Sequence, residues 1–190
     1  MLKVKNVRVY DLKESVIASR NSMRVDLPEY TDEEFEKSLE RAKKLAPLGR
    51  GHNNFLSGIR VSFDLVYPNY ISPELQRYTF LKIVNSSSKI HRLEVMAGNP
   101  AYYNKYVSPA SIDQMKTLAA AYNENRSYEN FMRLVSNCPQ GIELFMRCTT
   151  NYLCLRNIYR QRKEHRLKED WGAFCDFVET LPYAKELILT

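Results

Sequence analysis

The strongest pattern in the chain is a two-residue alternation that occurs twice. In IRVSFDLVY, Ile59, Val61, Phe63 and Leu65 alternate with Arg60, Ser62 and Asp64. In IELFMRCTT, Ile142, Leu144, Met146 and Cys148 alternate with Glu143, Phe145 and Arg147. Successive side chains of a strand point to opposite faces, so each run predicts a strand with one buried face. The β-branched run KVKNVRVY at 3–10 predicts a first strand, with Val7 and Val9 inward and Arg8 and Tyr10 outward.

Between these runs the spacing becomes helical. Glu14 to Met23 predicts a short helix with Val16, Ile17 and Met23 on one side and Arg20 and Ser22 near its end. Thr31 opens a T-D-E-E capping box, in which Thr31 serves the amide of Glu34 and Glu34 reaches back. Phe35, Leu39, Ala42 and Leu45 then fall on one stripe, and Pro47, Gly49 and Gly51 end it. Ser72-Pro73 reads as the start of a helix carrying Leu75, Tyr78, Phe80, Leu81 and Ile83. Ser108-Pro109 opens another through Ala121, and Tyr128 to Val135 gives a further one. Asn151 to Arg166 and a segment around Trp171, Phe174, Phe177 and Val178 supply the last two. The turn-rich, aromatic stretch from Ala97 to Pro109 reads equally as a lid, a tight loop or packing. Without repeats, low-complexity tracts or a linker, residues 1–190 predict one domain of mixed helix and strand.

Composition narrows the class. The four cysteines have no spacing of a zinc ribbon or redox motif and predict reduced core thiols; no metal site is expected. Neither a secretory leader nor a stretch of about 20 apolar residues is present, which predicts a cytoplasmic protein without a membrane partner. A net charge of +6 favours anionic partners without choosing among them. Two stretches concentrate that charge. In RYTFLKIVNSSSKIHR, residues 77–92, basic residues flank three serines, a composition suited to holding an anion. In NYLCLRNIYRQRKEHR, residues 151–166, Leu153, Leu155, Ile158 and Tyr159 suggest a core face, with Arg156, Arg160, Arg162, Lys163, His165 and Arg166 on the remaining surface. That helix is either a solvated amphipathic element or, with tyrosine beside arginine, a nucleic-acid surface.

Taken in order, these segments resemble the flavin-dependent thymidylate synthases. Ser19-Arg20-Asn21-Ser22 stands for that family's A-R-x-S-like step, His52 for its loop histidine, and VSFDL for its F-x-F strand. Counting from Pro68, Arg77-Tyr78-Thr79 falls on the R-H-R triplet of R-H-R-x-x-S-x-N-E-x-S-x-R, Asn85 on its Glu, Ser87 on its second Ser and Lys89 on its last Arg. Asn151, Leu155, Asn157 and Arg162 keep the spacing of the closing N-x-R-x-L-x-N-x-x-x-L-R helix, with Pro139 before it. The departures are Tyr78 for histidine, Thr79 for arginine, Lys82 for serine, Val84 for asparagine, Asn85 for glutamate and Leu153 for arginine, with Val135 where the family has another arginine. The sequence is also similar to a divergent phage and bacterial pattern of RY, a serine run ending in HR, TTNY and QR-x-x-HRL. That pattern adds Ser86, Ser88, His91, Arg92, Gln161 and His165 to a variant site.

The resemblance implies an α/β (α+β) fold, a single domain with a central, mainly antiparallel sheet flanked by helices. It implies methylation of dUMP to dTMP with methylenetetrahydrofolate, reduced FAD and NADPH, in a homotetramer whose flavin sits where subunits meet. Carried onto this chain, it gives a cofactor set of Ser22, His52, Arg77, Tyr78, Thr79, Asn151 and Asn157. The substrate set for the uridine nucleotide is Gln76, Asn85, Ser87, Lys89 and Arg162, with no residue assigned a catalytic role. The alternative expectation is a catalytically altered homologue that binds a nucleotide or nucleic acid through its basic face.

Overall fold

The computed structural model describes residues 1–190 and has the mixed architecture expected. Four strands, β1 (Lys3–Tyr10), β2 (Arg60–Pro68), β3 (Lys82–Ser86) and β4 (Glu143–Asn151), form one sheet in the order β1-β2-β4-β3. Every pairing is antiparallel. The alternation in the two central strands becomes a two-faced sheet. Val61 lies opposite Thr150, Phe63 opposite Cys148, Leu65 opposite Met146 and Tyr67 opposite Leu144, and all are buried. Their sequence neighbours form the other face, where Asp64 meets Arg147 at 3.1 Å and Ser62 meets Thr149 at 3.2 Å.

Nine helices follow the chain: α1 (Leu12–Ala18), α2 (Asp32–Leu45), α3 (Ser72–Leu75), α4 (Lys89–Met96), α5 (Pro109–Glu124), α6 (Tyr128–Ser136), α7 (Tyr152–Arg162), α8 (Lys168–Glu179) and α9 (Ala184–Leu187). α8 lies on the apolar face, its Phe177 ring 5.1 Å and its Phe174 ring 6.1 Å from the Phe63 ring. Burying aromatic side chains there contributes about 2–3 kcal/mol each. The cysteines are all free, and burial pushes the Cys148 thiol up to about 12. No helix is long and apolar enough to cross a membrane.

Several local expectations change. β1 carries a bulge between Lys5 and Arg8, with Asn6 at φ 50°, so Val4 and Val9 turn inward while Val7 is left exposed. The extra residue resets the two-residue phase, which simple alternation cannot register. The first helix ends at Ala18, and Asn21–Met23 is a separate 3-10 turn. At α2, Thr31 accepts from the Glu34 N–H as predicted. The Glu34 carboxylate does not reach back; it binds Arg20, Arg24 and Ser38 instead. The helix expected from Ser72 stops at Leu75, and Ile83 and Val84 belong to β3. A β-branched pair beside the open edge of β4 gains ladder hydrogen bonds that a helix there would forgo. Arg156, counted among the surface charges, is only 1% exposed and donates to the main-chain oxygens of Ala46 and Thr190.

Candidate functional site

The site is built where β4 turns into α7. Asn151 is the last residue of β4, and its Oδ1 accepts from the Cys154 N–H at 2.9 Å, so one side chain ends the strand and caps the helix. Its Nδ2 keeps its donors. The segment after α3 passes the same helix by two successive turns, Tyr78 N–H to Leu75 O and Leu81 N–H to Tyr78 O. Arg77, Tyr78 and Thr79 from that segment and Asn151, Asn157 and Gln161 from the strand end and helix line a cavity of about 260 Å³. Arg77, Thr79 and Asn157 are exposed, and Phe80 adds an aromatic ring with 67% of its surface in solvent.

Tyr78 links this cavity to a second cluster. Its hydroxyl donates to Gln161 Oε1 at 3.1 Å and accepts from Arg162 Nε at 2.7 Å. Burial pushes the Tyr78 phenol above its ordinary value, and the Arg162 guanidinium opposes that shift. Arg162 is itself largely buried, with Nη1 2.8 Å from Glu74 Oε2 and its guanidinium carbon 4.5 Å from the centre of the Trp171 ring. Glu74 also accepts from the Trp171 indole N–H at 2.8 Å. Sequence reasoning missed Glu74 and Trp171. With α3 ending at Leu75, nothing in their spacing reveals that they share a contact across almost a hundred residues.

The other expected residues lie apart. Asn85 and Ser87 line a separate cavity of about 490 Å³ on the face of the sheet that α8 does not cover, beside Lys5, Phe145 and Arg147. Asn85 lies opposite Arg147, four residues from Asn151 on β4, which at ~3.3 Å per residue puts the two groups about 13 Å apart. Ser87 is engaged by the ladder: its N–H donates to Phe145 O at 2.8 Å, and its hydroxyl accepts from Phe145 N–H at 2.9 Å. Ser22, His52 and Gln76 are exposed and, with half-buried Lys89, line neither cavity. Among the variant-pattern residues, Ser88 caps α4 through the His91 N–H, while His91 and Arg92 are exposed. His165 has Nε2 3.7 Å from Glu74 and accepts the Leu167 N–H at Nδ1.

The stretch from Ala97 to Pro109 is packed. Tyr103 bridges to Ile142, and Asn104 N–H donates to Gly141 O at 2.9 Å. A Cβ at Gly141 would come within 2.4 Å of Val107, so glycine is required for this approach. With Tyr70, Glu143 and Asp170 the stretch walls a cavity of about 700 Å³ that contains none of the predicted residues. No group of three or more His, Cys, Asp or Glu side chains is placed to hold a metal ion.

No family model matches the chain, and no curated protein matches it. Its fold is similar to solved structures of the flavin-dependent thymidylate synthase ThyX from Helicobacter pylori. One, complexed with FAD and dUMP, superposes with a TM-score of 0.76 at 15% identity, covering 97% of this chain and 97% of that one. Another, with FAD and dUMP at 2.31 Å resolution, gives a TM-score of 0.78 at 14% identity, covering 100% of this chain and 98% of that one. At such identities the likeness shows the fold: one antiparallel four-stranded sheet flanked by helices, arranged as in ThyX.

Proposed function

We propose that this chain is a divergent flavin-dependent thymidylate synthase-like enzyme that methylates dUMP to dTMP, with methylenetetrahydrofolate as carbon donor and FAD reduced by NADPH. The observation that carries the reading is the convergence of Arg77, Tyr78, Thr79, Asn151 and Asn157, far apart in sequence, on one cavity. The neighbours of like fold hold FAD and dUMP.

The donor set fits part of a flavin nucleotide. Arg77 supplies a forked cation for a phosphate, and the Asn157 amide and the free Nδ2 of Asn151 supply directed donors and an acceptor for carbonyl and ring nitrogens. The volume does not fit all of it: about 260 Å³ lies below the ~300–1,000 Å³ of a complete small-molecule pocket. Asn85 and Ser87 sit in another cavity, so one chain offers two part-sites. We therefore assign the complete site to a homotetramer in which the flavin wall of one chain meets the nucleotide wall of another. The exposed edge strand β3, with Ile83 and Val84, and nearby Phe80 supply apolar surface for such contacts. When bound, the flavin supplies the reduction that converts the transferred carbon to a methyl group. The chain's residues bind and orient the reactants and exclude water.

A second reading keeps the fold and loses the reaction, with a nucleotide or nucleic acid bound on the basic surface. It is favoured by the departures from the family signature, Tyr78 for histidine, Thr79 for arginine and Asn85 for glutamate, and by the exposed Arg160, Lys163 and Arg166 on and just after α7. Spectroscopy separates the two. The first reading predicts flavin absorbance in the purified protein or uptake of added FAD, and rescue of a thymidine-requiring host. Protein that takes up no FAD but is retained on single-stranded nucleic acid in a salt-dependent way would establish the second.

A further inference from the structure

The Glu74 carboxylate is shared between an arginine and an indole N–H. It comes from α3, yet its contacts lie at the far end of the chain. Oε2 is 2.8 Å from Arg162 Nη1 and also accepts the Trp171 indole N–H at 2.8 Å. The Trp171 ring, fully buried, carries the Arg162 guanidinium on its face at 4.5 Å. On the other side Arg162 Nε donates to the Tyr78 hydroxyl, which is braced by Gln161. Three contacts therefore fix one guanidinium: an ion pair, a hydrogen bond and an indole face. A guanidinium has five N–H donors in a rigid fork; the hydrogen bond to Tyr78 uses the Nε donor, and Nη1 faces Glu74 as an ion pair. The remaining donors are held in a fixed direction. A long side chain with such a brace does not have to be ordered by its ligand, which is the physical meaning of preorganisation.

We infer that Glu74 is a positioning residue that fixes Arg162 on the face of Trp171 and so keeps the unspent guanidinium donors, which border a cavity shared with Lys163, His165 and Lys168, ordered for the nucleotide. This rests on the proposal that Arg162 meets a uridine nucleotide. Glu74 touches no ligand in this role; it acts through Arg162.

The test is a double-mutant cycle on the full-length protein, with dUMP binding measured by calorimetry for wild type, E74A, R162A and E74A/R162A. The inference predicts that E74A weakens dUMP binding ~10-fold and that the double variant binds no more weakly than R162A, since a residue acting only through Arg162 has nothing left to lose. E74Q, which keeps an acceptor for both donors, should restore binding to within ~3-fold of wild type. If the losses from E74A and R162A add, Glu74 acts independently of Arg162 and the inference is overturned.

A second arm needs no nucleotide. Trp171 is the only tryptophan, so tryptophan fluorescence comes from this one indole. Acrylamide quenching should rise equally in E74A and R162A, and no further in the double variant. An indole as shielded in E74A as in wild type would overturn the inference. This arm tests the brace itself, and dUMP binding to none of the proteins would remove the nucleotide reading of Arg162 and with it the role of Glu74 toward the nucleotide. If E74A does not fold, E74D, whose carboxylate is withdrawn by one methylene, takes its place with the same expectations.

Discussion

Arg156 shows how a single side chain can be read as surface and serve as an anchor. It lies on α7 among residues that carry charge into solvent, and burial lowers its pKa, with nearby Arg160 acting in the same direction. Its guanidinium forks to Ala46 O at the end of α2 and to Thr190 O, joining three segments distant in sequence. Hydrogen bonds from a charged donor contribute about 1.5–3 kcal/mol each, so R156L should lose about 3 kcal/mol of stability in urea unfolding. R156K should recover little of it, because a single ammonium does not match a planar fork reaching two oxygens. Equal stability of wild type and R156L would show that these carbonyls find other donors. A basic residue at helical spacing beside other basic residues is legible in the sequence. Its direction is not, because the carbonyls that receive it come from elsewhere in the chain.

At the scale of elements, the alternations of β2 and β4 and three of the caps are legible; the bulged β1, the cap expected at Ser72, which lies inside α3 behind Ile71 and caps nothing, and the junctions are not. Thr31, Ser108 and Asn151 each accept a main-chain N–H where their residue type predicts it. For Asn151 this creates a double role, since the residue proposed for the flavin also starts α7. The two roles separate by substitution. N151A should cost about 1 kcal/mol of stability through the lost cap and also weaken FAD binding, whereas N151D keeps the capping oxygen and should lower FAD affinity with stability within about 0.5 kcal/mol of wild type. Thermal unfolding beside FAD titration distinguishes them, and full FAD affinity in N151D would remove the Asn151 amide from the site. In the sequence the segment after Leu75 reads as helix because its apolar residues satisfy a helical period about as well as a strand period. The open edge of β4 decided for a strand, and with it the positions of Asn85 and Ser87.

Across the whole molecule, the notable feature is how the expected site is divided. Five of the seven residues expected to hold the cofactor converge, Ser22 and His52 stand apart from them, and Asn85 and Ser87 lie in another cavity about 13 Å along the sheet by strand geometry. If copies join these halves through the β3 edge, a charge on that edge should separate them, since lysine on an open strand edge opposes pairing. Val84 is 64% exposed, so V84K should leave the fold of the single chain intact while light scattering reports a smaller species and FAD uptake falls with it. An assembly of unchanged size would place the interface elsewhere.

By itself the sequence determined the two central strands, the long helices and their caps, because these follow from local periodicity and from donors and acceptors within four residues. It also carried the resemblance that singled out Arg77, Tyr78, Thr79, Asn151 and Asn157, which share a cavity, together with Ser22, His52, Gln76, Asn85, Ser87, Lys89 and Arg162, which do not line it. Only the tertiary structure decided the bulge in β1, the strand at Lys82–Ser86, the burial of Arg156, and the brace of Glu74 and Trp171 around Arg162. Each depends on a partner that folding brings from a distant part of the chain, and no local spacing encodes such a partner.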